Sequence, residues 1–338
     1  AGSGAFYARA EEAIAGLAAA AALPVVVPIW DRGAVSRPVE HFLGVIGAAS
    51  GGPRLLPDAD LLILVGARID YRLGYGEPPT VREDARLIRI DADPAELRQG
   101  READVAVLGD PAASLRALRE ALDRMPGFQP HRDWLAEARR RQEAFRTERM
   151  GGRAAGPGIG GREIVEALRP FLDDETIFLI DGGNIGQWAH VLADRYPGHW
   201  LTCGASGVVG WGIAGAIAAK LVYPERRVIL LSGDGAIGFG LPEIETAVRH
   251  RTPFVVVLAD DRAWGSVAAA QAKRHGPAGL IASQLGPVAY DRVAEAMGAL
   301  GVRVERPEEI GPAVERGLAA GRPTLIHIPT ALGGPTDG

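Results

Sequence analysis

The hydrophobic positions of this chain fall into short unbroken runs, separated by stretches of helical periodicity and by glycine turns. Arg227-Val228-Ile229-Leu230-Leu231-Ser232 is one such run, and Pro253-Phe254-Val255-Val256-Val257-Leu258-Ala259 is another. Runs of this length and β-branched content predict strands covered on both faces, as in a parallel sheet. Between them, residues 241–250 read as a helix with Pro242 in its first turn, where the missing N–H costs nothing. Strand, helix and strand make a βαβ unit, whose crossover is right-handed in nearly every case. The same alternation recurs elsewhere. Residues 6–22 and 112–124 read as helices and 23–30, 60–66 and 86–91 as strands. Further on, 162–171 and 204–220 read as helices and 176–181 and 324–328 as strands. The pattern predicts an α/β protein built of two Rossmann-like, doubly wound parallel-sheet domains. Residues 131–149 read as a charged helix, and 151–161 hold six Gly and a Pro. We therefore expect a first domain over 1–125, a linker over 126–160 and a second domain over 161–338.

Candidate chemistry concentrates at strand ends. Gly233-Asp234-Gly235-Ala236 follows one strand of the βαβ unit, and Asp261 follows the other, 27 positions after Asp234. Both carboxylates then lie at the carboxyl edge of a parallel sheet, where open α/β folds bind ligands. Two carboxylates beside a glycine turn and a helix start suit a divalent cation bridging to a phosphate. A reading without ligand remains: Asp234 caps a helix and Asp261 ends a strand. Asp181-Gly182-Gly183-Asn184 also closes a strand, and bare glycines let backbone approach phosphate. In the first half, Gly66-Ala67-Arg68-Ile69-Asp70-Tyr71-Arg72-Leu73-Gly74-Tyr75-Gly76 follows a strand. Arg68 and Arg72 are of the type that pairs with phosphates, or they are solvated charges of a vestigial site.

The Gly-Asp-Gly turn, the spacing to Asp260-Asp261 and both flanking strands resemble the thiamine diphosphate (ThDP) enzymes of the acetolactate synthase-like superfamily, in its acetolactate synthase and 2-hydroxyacyl-CoA lyase branch. The resemblance runs through nearly the whole chain and covers two of that family's three domains. It implies a middle domain followed by a ThDP diphosphate-binding domain. It implies Mg2+ held by Asp234, Asp261 and the backbone carbonyl of Ala263, and diphosphate held by Gly233, Gly235, Ala236, Gly183 and Asn184. Gly207 matches a carbonyl that contacts the aminopyrimidine ring, and Val209 matches the apolar prop that bends the cofactor. In the middle domain, Gly66, Arg68, Asp70, Arg72 and Asp91 match positions that contact FAD, ADP or the CoA nucleotide. The chain departs from the family at Asp260-Asp261, which replaces Asn-Asn, and at Val209, which is smaller than the usual prop. Trp264, three residues after Asp261, accords with lyase-like members. The implied activity is C–C lysis or carboligation of a 2-oxo acid or 2-hydroxyacyl-CoA through a C2 ylide and an enamine. The family's activating Glu belongs to an N-terminal pyrimidine-binding domain. It is expected outside this chain, on its own further domain or on a partner, in a homodimer or tetramer.

Composition trims the alternatives. A net charge of −5 and a pI of about 5.9 argue against nucleic acid or an anionic membrane as main partner. A single cysteine, Cys203, excludes an internal disulfide and suits a reducing, cytoplasmic setting. No apolar run reaches the length of a membrane span, and no signal-peptide pattern is visible. Ala1-Gly2-Ser3-Gly4-Ala5 reads as a glycine turn of the kind that follows a strand. Glu243 and Glu245 read as complements to a helix N-terminus. Ala263, Trp264, Ser266 and 271–279, including His275, are expected to shape a substrate pocket. Two other readings stay open. One is a nucleotide-dependent oxidoreductase using the first unit, although Gly2-Ser3-Gly4 lacks the third glycine of the dinucleotide fingerprint. The other is a non-catalytic or partner-dependent subunit that binds ThDP weakly.

Overall fold

The structure, a computed structural model, describes residues 1–35, 40–47, 54–151, 158–192, 199–204 and 206–331, with the side chains of 149–151 excluded. The glycine-rich residues 152–157 and the terminal 332–338 lie outside the described residues. The chain forms two compact units, 1–148 with 204–206, and 149–203 with 207–338.

The first unit contains α1 (Ser3–Tyr7), α2 (Glu11–Ala21), β1 (Val25–Pro28), β2 (Phe42–Ile46), β3 (Leu61–Val65), β4 (Arg86–Asp91), β5 (Val105–Leu108), α3 (Pro111–Asp123) and α4 (Arg132–Gly151). β1 pairs with β2, and β3, β4 and β5 form a second sheet in that order, all parallel. The helix expected over 6–22 is two helices. Arg9, at φ +51°, interrupts it between α1 and α2. Within the Ala1–Ala5 segment, Gly2 is the extended N-cap of α1, which starts at Ser3. α4 packs within this unit: Ala138 is fully buried with Leu43 and Leu55, and the His131 N–H donates to Ala21 O at 2.9 Å. The strands not foreseen here are β2 and β5. Gly44 at φ +96° breaks the β2 pattern, and β5 is an edge strand with mostly exposed side chains.

The second unit contains α5 (Gly161–Leu168), β6 (Thr176–Asp181), α6 (Asn184–Leu192), β7 (His199–Leu201), α7 (Gly212–Val222), β8 (Arg227–Gly233), α8 (Asp234–Gly240) and α9 (Glu243–Arg249). It continues through β9 (Val255–Asp260), α10 (Gly265–His275), α11 (Tyr290–Ala296), β10 (Leu300–Arg303), α12 (Ile310–Ala319) and β11 (Thr324–Pro329). Its six strands run parallel in the order β10-β11-β9-β8-β6-β7. β6 and β9 are buried at every position, which is why they are uninterrupted apolar runs. From β6 the chain moves outward to β7, then returns to lay β8 on the other side. The sheet therefore has its topological switch point between β6 and β8, where a crevice opens at the carboxyl ends of the strands.

Two helices differ from expectation. The crossover between β8 and β9 is α8 followed by α9, because Pro242 has no N–H to continue the first helix. The helix expected over 204–220 starts only at Gly212. Gly204, Gly207 and Gly210 sit at φ +71°, +60° and +91°, which a right-handed helix does not allow.

Candidate active site

The switch point places several of the candidate residues around one cavity of about 190 Å³. β6 delivers Gly182, Gly183 and Asn184, and β8 delivers Gly233, Asp234, Gly235 and Ala236. β9 and the turn after it deliver Asp261, Ala263 and Trp264, and Val209 comes from the loop before α7. Gly207 is not among the lining residues.

Local chemistry explains the turn after β9. Asp260 Oδ1 accepts the Arg262 N–H at 3.1 Å, and Asp261 Oδ1 accepts the Ala263 N–H at 3.1 Å. These Asx turns bend the chain sharply, with Arg262 at φ +56°. Asn184 Nδ2 donates to the other oxygen, Asp261 Oδ2, at 3.3 Å. Gly265 makes this packing possible: a Cβ there would lie 2.2 Å from Asp261 Oδ2 and 2.7 Å from Asn184 Nδ2. At Gly233, by contrast, a Cβ would meet nothing within 4 Å, so its backbone faces open space.

The electrostatics are unusual for carboxylates. Asp234 is buried, and its Oδ2 has no hydrogen-bond partner. Burial pushes its pKa up to about 8, reinforced by the charges of Asp261 and Asp260. Asp261 is also raised, by burial first. A buried carboxylate with an orphaned oxygen beside a second carboxylate is an expensive arrangement unless a cation joins them. Hard carboxylate oxygens of this kind are the donor type that suits Mg2+. Among the described residues, no group of three or more His, Cys, Asp and Glu side chains is placed to hold a metal.

Asp260, the departure from Asn-Asn, does not point its charge at this pair alone. His327 on β11 sits between Asp260 Oδ2, 2.8 Å from Nε2, and Asp291 Oδ1, 3.2 Å from Nδ1. Tyr290 packs edge-on against the His327 ring at a centroid distance of 5.4 Å. Despite its burial, Asp260 is held below the usual carboxylate range by the hydrogen bond and charge of His327. Nothing in the sequence spacing linked positions 260, 291 and 327, because their contact depends on the strand order. Asp181 was likewise read only as a strand end. It is buried, raised in pKa by that burial, and accepts the Gly210 N–H at 3.0 Å and the Gly212 N–H at 2.8 Å. It thereby ties the 207–212 segment to the end of β6.

Of the remaining candidates, some fall away from the cavity and one does not. His275 is exposed. Gln271 braces a loop instead of facing the cavity, accepting from the Ser283 hydroxyl at 2.7 Å and from the Ile281 N–H at 3.2 Å. Ser266 lines the cavity. Glu245 pairs with Arg249 on the surface of α9 at 3.1 Å.

In the first unit, the residues matched to nucleotide contacts do not converge on a cavity. Arg72, of the type that pairs with phosphates, is fully buried. Its guanidinium donates to Asp31 at 2.9 Å, to Asp70 at 2.8 Å and to Ile29 O at 3.1 Å. Asp70 also accepts the Arg72 N–H, so the two form an interior ion pair with a turn. Arg68 pairs with Glu96 at 2.9 Å on the surface. Asp91 accepts the Asp93 N–H at 3.0 Å. Gly66 lies against the backbone of Gly4, and Gly2 against Ala67, so the glycines of 2–4 serve close packing of α1.

The family described as thiamine pyrophosphate enzyme, central domain, matches residues 1–118. The family described as thiamine pyrophosphate enzyme, C-terminal TPP binding domain, matches residues 181–328. A probable acetolactate synthase of Mycobacterium bovis is 31% identical over 336 residues, covering 98% of this chain and 58% of that protein. The 2-hydroxyacyl-CoA lyase 2 of Caenorhabditis elegans is 30% identical over 258 residues, covering 74% of this chain and 40% of that protein. The structure of a Rhodococcus jostii RHA1 thiamine diphosphate-dependent 4-hydroxybenzoylformate decarboxylase superposes with a TM-score of 0.76 at 22% identity, covering 98% of this chain and 60% of that one. The chain thus spans less than two thirds of the length of these relatives.

Proposed function

From the premise that this chain belongs to the thiamine pyrophosphate enzyme family, we propose that it is the cofactor-anchoring part of a ThDP- and Mg2+-dependent enzyme that cleaves or forms a C–C bond next to a carbonyl, on a 2-oxo acid or a 2-hydroxyacyl-CoA. The observation that carries the proposal is the pair Asp234 and Asp261 on one cavity, with Asp234 Oδ2 buried and unpartnered. In this reading Asp234, Asp261 and the Ala263 carbonyl hold Mg2+. Gly235 and Ala236 in the first turn of α8 and the Gly183–Asn184 segment face the diphosphate. Val209 supports the ring portion, and Asp181 fixes the loop that carries Gly207 and Val209. When bound, ThDP supplies a nucleophilic carbon for the carbonyl and a positively charged ring that holds the electron pair left by C–C cleavage.

No Glu lines the cavity among the described residues. The proposal therefore assigns the carboxylate that activates the aminopyrimidine to a further domain or subunit, in a homodimer or tetramer. Exposed Val208, Phe239 and Val267 stand near the cavity as apolar surface for such a neighbour.

The test titrates ThDP against the protein with and without Mg2+, following Trp264 fluorescence, and repeats it after Asp234→Asn. We expect quenching that requires Mg2+ and weakens at least tenfold in the variant. Assay of the full-length polypeptide with pyruvate, benzoylformate and a 2-hydroxyacyl-CoA then separates the substrate classes. No Mg2+-dependent binding by the full-length polypeptide refutes the reading.

A further inference from the structure

A segment that does not line the cavity of the second unit, 281–285, holds the turn that carries Ala263. Ala263 pairs antiparallel with Gln284. The Trp264 N–H donates to Ser283 O at 2.8 Å, and the Leu285 N–H donates to Arg262 O at 2.7 Å. These bonds engage the two peptide planes on either side of Ala263.

Peptide planarity carries their effect into the site. In a trans peptide the N–H and the C=O point to opposite sides. The Trp264 N–H shares its plane with the Ala263 carbonyl. Held toward Ser283, it turns that carbonyl away from the segment. The Arg262 carbonyl shares its plane with the Ala263 N–H, which donates to Asp261 Oδ1 at 3.1 Å. Each plane is thus bonded to the 283–285 segment at one end and serves the site at the other. Arg262 sits at φ +56°, a left-handed conformation that a non-glycine residue keeps where its surroundings impose it.

The segment has its own anchor. Ala282 is also left-handed, at φ +55°, and Gln271 bonds on both sides of it. Gln271 Oε1 accepts the Ile281 N–H at 3.2 Å and the Ser283 hydroxyl at 2.7 Å, and Gln271 Nε2 donates to Ile281 O at 3.0 Å. Ser283 is buried, whereas Ile281 and Ala282 are exposed, so hydrogen bonds more than packing hold this bend. Gln271 stands about two turns along α10, the helix that Trp264 caps. The helix, Gln271, Ser283 and Trp264 therefore close a ring that starts and ends at the site.

Resting on the reading of Asp234, Asp261 and Ala263 as metal ligands, we infer that Gln271 is a positioning residue for that centre. Through the 281–285 segment it sets the direction of the Ala263 carbonyl and the seat of the Asp261 carboxylate. It lines no part of the cavity itself.

The test compares the full-length polypeptide with its Gln271→Met and Gln271→Glu variants. Methionine keeps the length of the side chain and loses all three hydrogen bonds. Glutamate keeps both bonds accepted by Oε1 and loses the one donated to Ile281 O. Two quantities are measured: amide exchange without metal, and Mg2+ affinity at saturating ThDP by calorimetry. Gln271→Met is expected to speed exchange of the Trp264 and Leu285 amides about tenfold and to leave β8 and β9 protected. Its Mg2+ affinity is expected to fall about tenfold, the scale for residues that orient metal ligands. Gln271→Glu is expected to lie between Gln271→Met and the parent in both. Mg2+ affinity in Gln271→Met within about twofold of the parent overturns the inference. Faster exchange throughout β8 and β9, the mark of general loosening, overturns it as well. A parent that binds no Mg2+ with ThDP refutes the metal reading and the inference with it. A parent that binds, beside an unaffected Gln271→Met variant, refutes the inference alone.

Discussion

At the scale of single residues, the site is governed by where charge is placed. Asp234 has a folded-state pKa well above its unfolded value, so in metal-free protein the native state binds the extra proton between the two. Its contribution to stability is therefore lost as pH rises from about 4 toward 8, the reverse of a salt-bridged Asp. Asp234→Asn, which cannot ionise, should raise the metal-free melting temperature at pH 8 by an amount equivalent to ~1 kcal/mol or more, and flatten its pH dependence. The same variant should lose the stabilisation that Mg2+ with ThDP confers on the parent. Melting curves from pH 5 to 8 decide this, and a variant less stable than the parent at pH 8 without metal contradicts it. His327 is buried between two acids, so His327→Leu leaves Asp260 and Asp291 without their shared partner. A loss of ~3–5 kcal/mol in denaturant unfolding is expected, as for other broken buried pairs. Adding Asp260→Asn should recover part of it, because one of the stranded charges is then removed. The pair Asp234 and Asp261 was legible in the sequence because strand ends and spacing are local information. The 260–327–291 contact was not, since it requires knowing that β11 lies beside β9.

Elements position these residues through their ends. β6, β8 and β9 were readable from their apolar runs, and their carboxyl ends carry most of the cavity. The helix starts were harder to read, because glycine serves both turns and close packing. Residues 204–220 have the small-residue texture of a buried helix, yet three left-handed glycines hold the first part as a loop. Asp181 fastens that loop to β6 through the Gly210 and Gly212 amides. Asp181→Ala should therefore leave far-UV circular dichroism near that of the parent while weakening ThDP binding about tenfold, by freeing the segment that carries Val209. At the start of α10, Gly265→Ala should act more locally. The added methyl meets Asp261 Oδ2 and Asn184 Nδ2, so Mg2+ affinity should fall while the second-unit sheet stays folded. Calorimetric Mg2+ titration alongside exchange at β6 and β9 measures both. Unchanged affinity in this variant means that Asp261 does not need its observed position. Short strands such as β7 and β10 escaped the sequence reading for a different reason. At three and four residues, they are too brief to show any period.

For the whole molecule, the question is which of the two units a ligand stabilises. Binding to the native state adds RT ln(1 + [L]/Kd), about 2.7 kcal/mol at a hundredfold excess over Kd, and only the unit that contacts the ligand gains it directly. The second unit has a cavity with two acidic groups and an orphaned oxygen. The first has its matched arginines committed elsewhere, Arg72 to Asp31 and Asp70 and Arg68 to Glu96. Scanning calorimetry, with transitions assigned by exchange at β3 and β4 against β6, β8 and β9, separates the two. ThDP with Mg2+ should move the transition of the second unit upward, and neither component alone should move it as far. ADP or FAD at the same excess should leave the first unit where it was. A rise of the first transition with a nucleotide would show that an anion reaches this unit by a route other than Arg72. The nucleotide positions matched from sequence would then have to be sought among the exposed side chains of Arg68 and its neighbours, because the interior ion pair cannot open without exposing Asp31 and Asp70 unpaired.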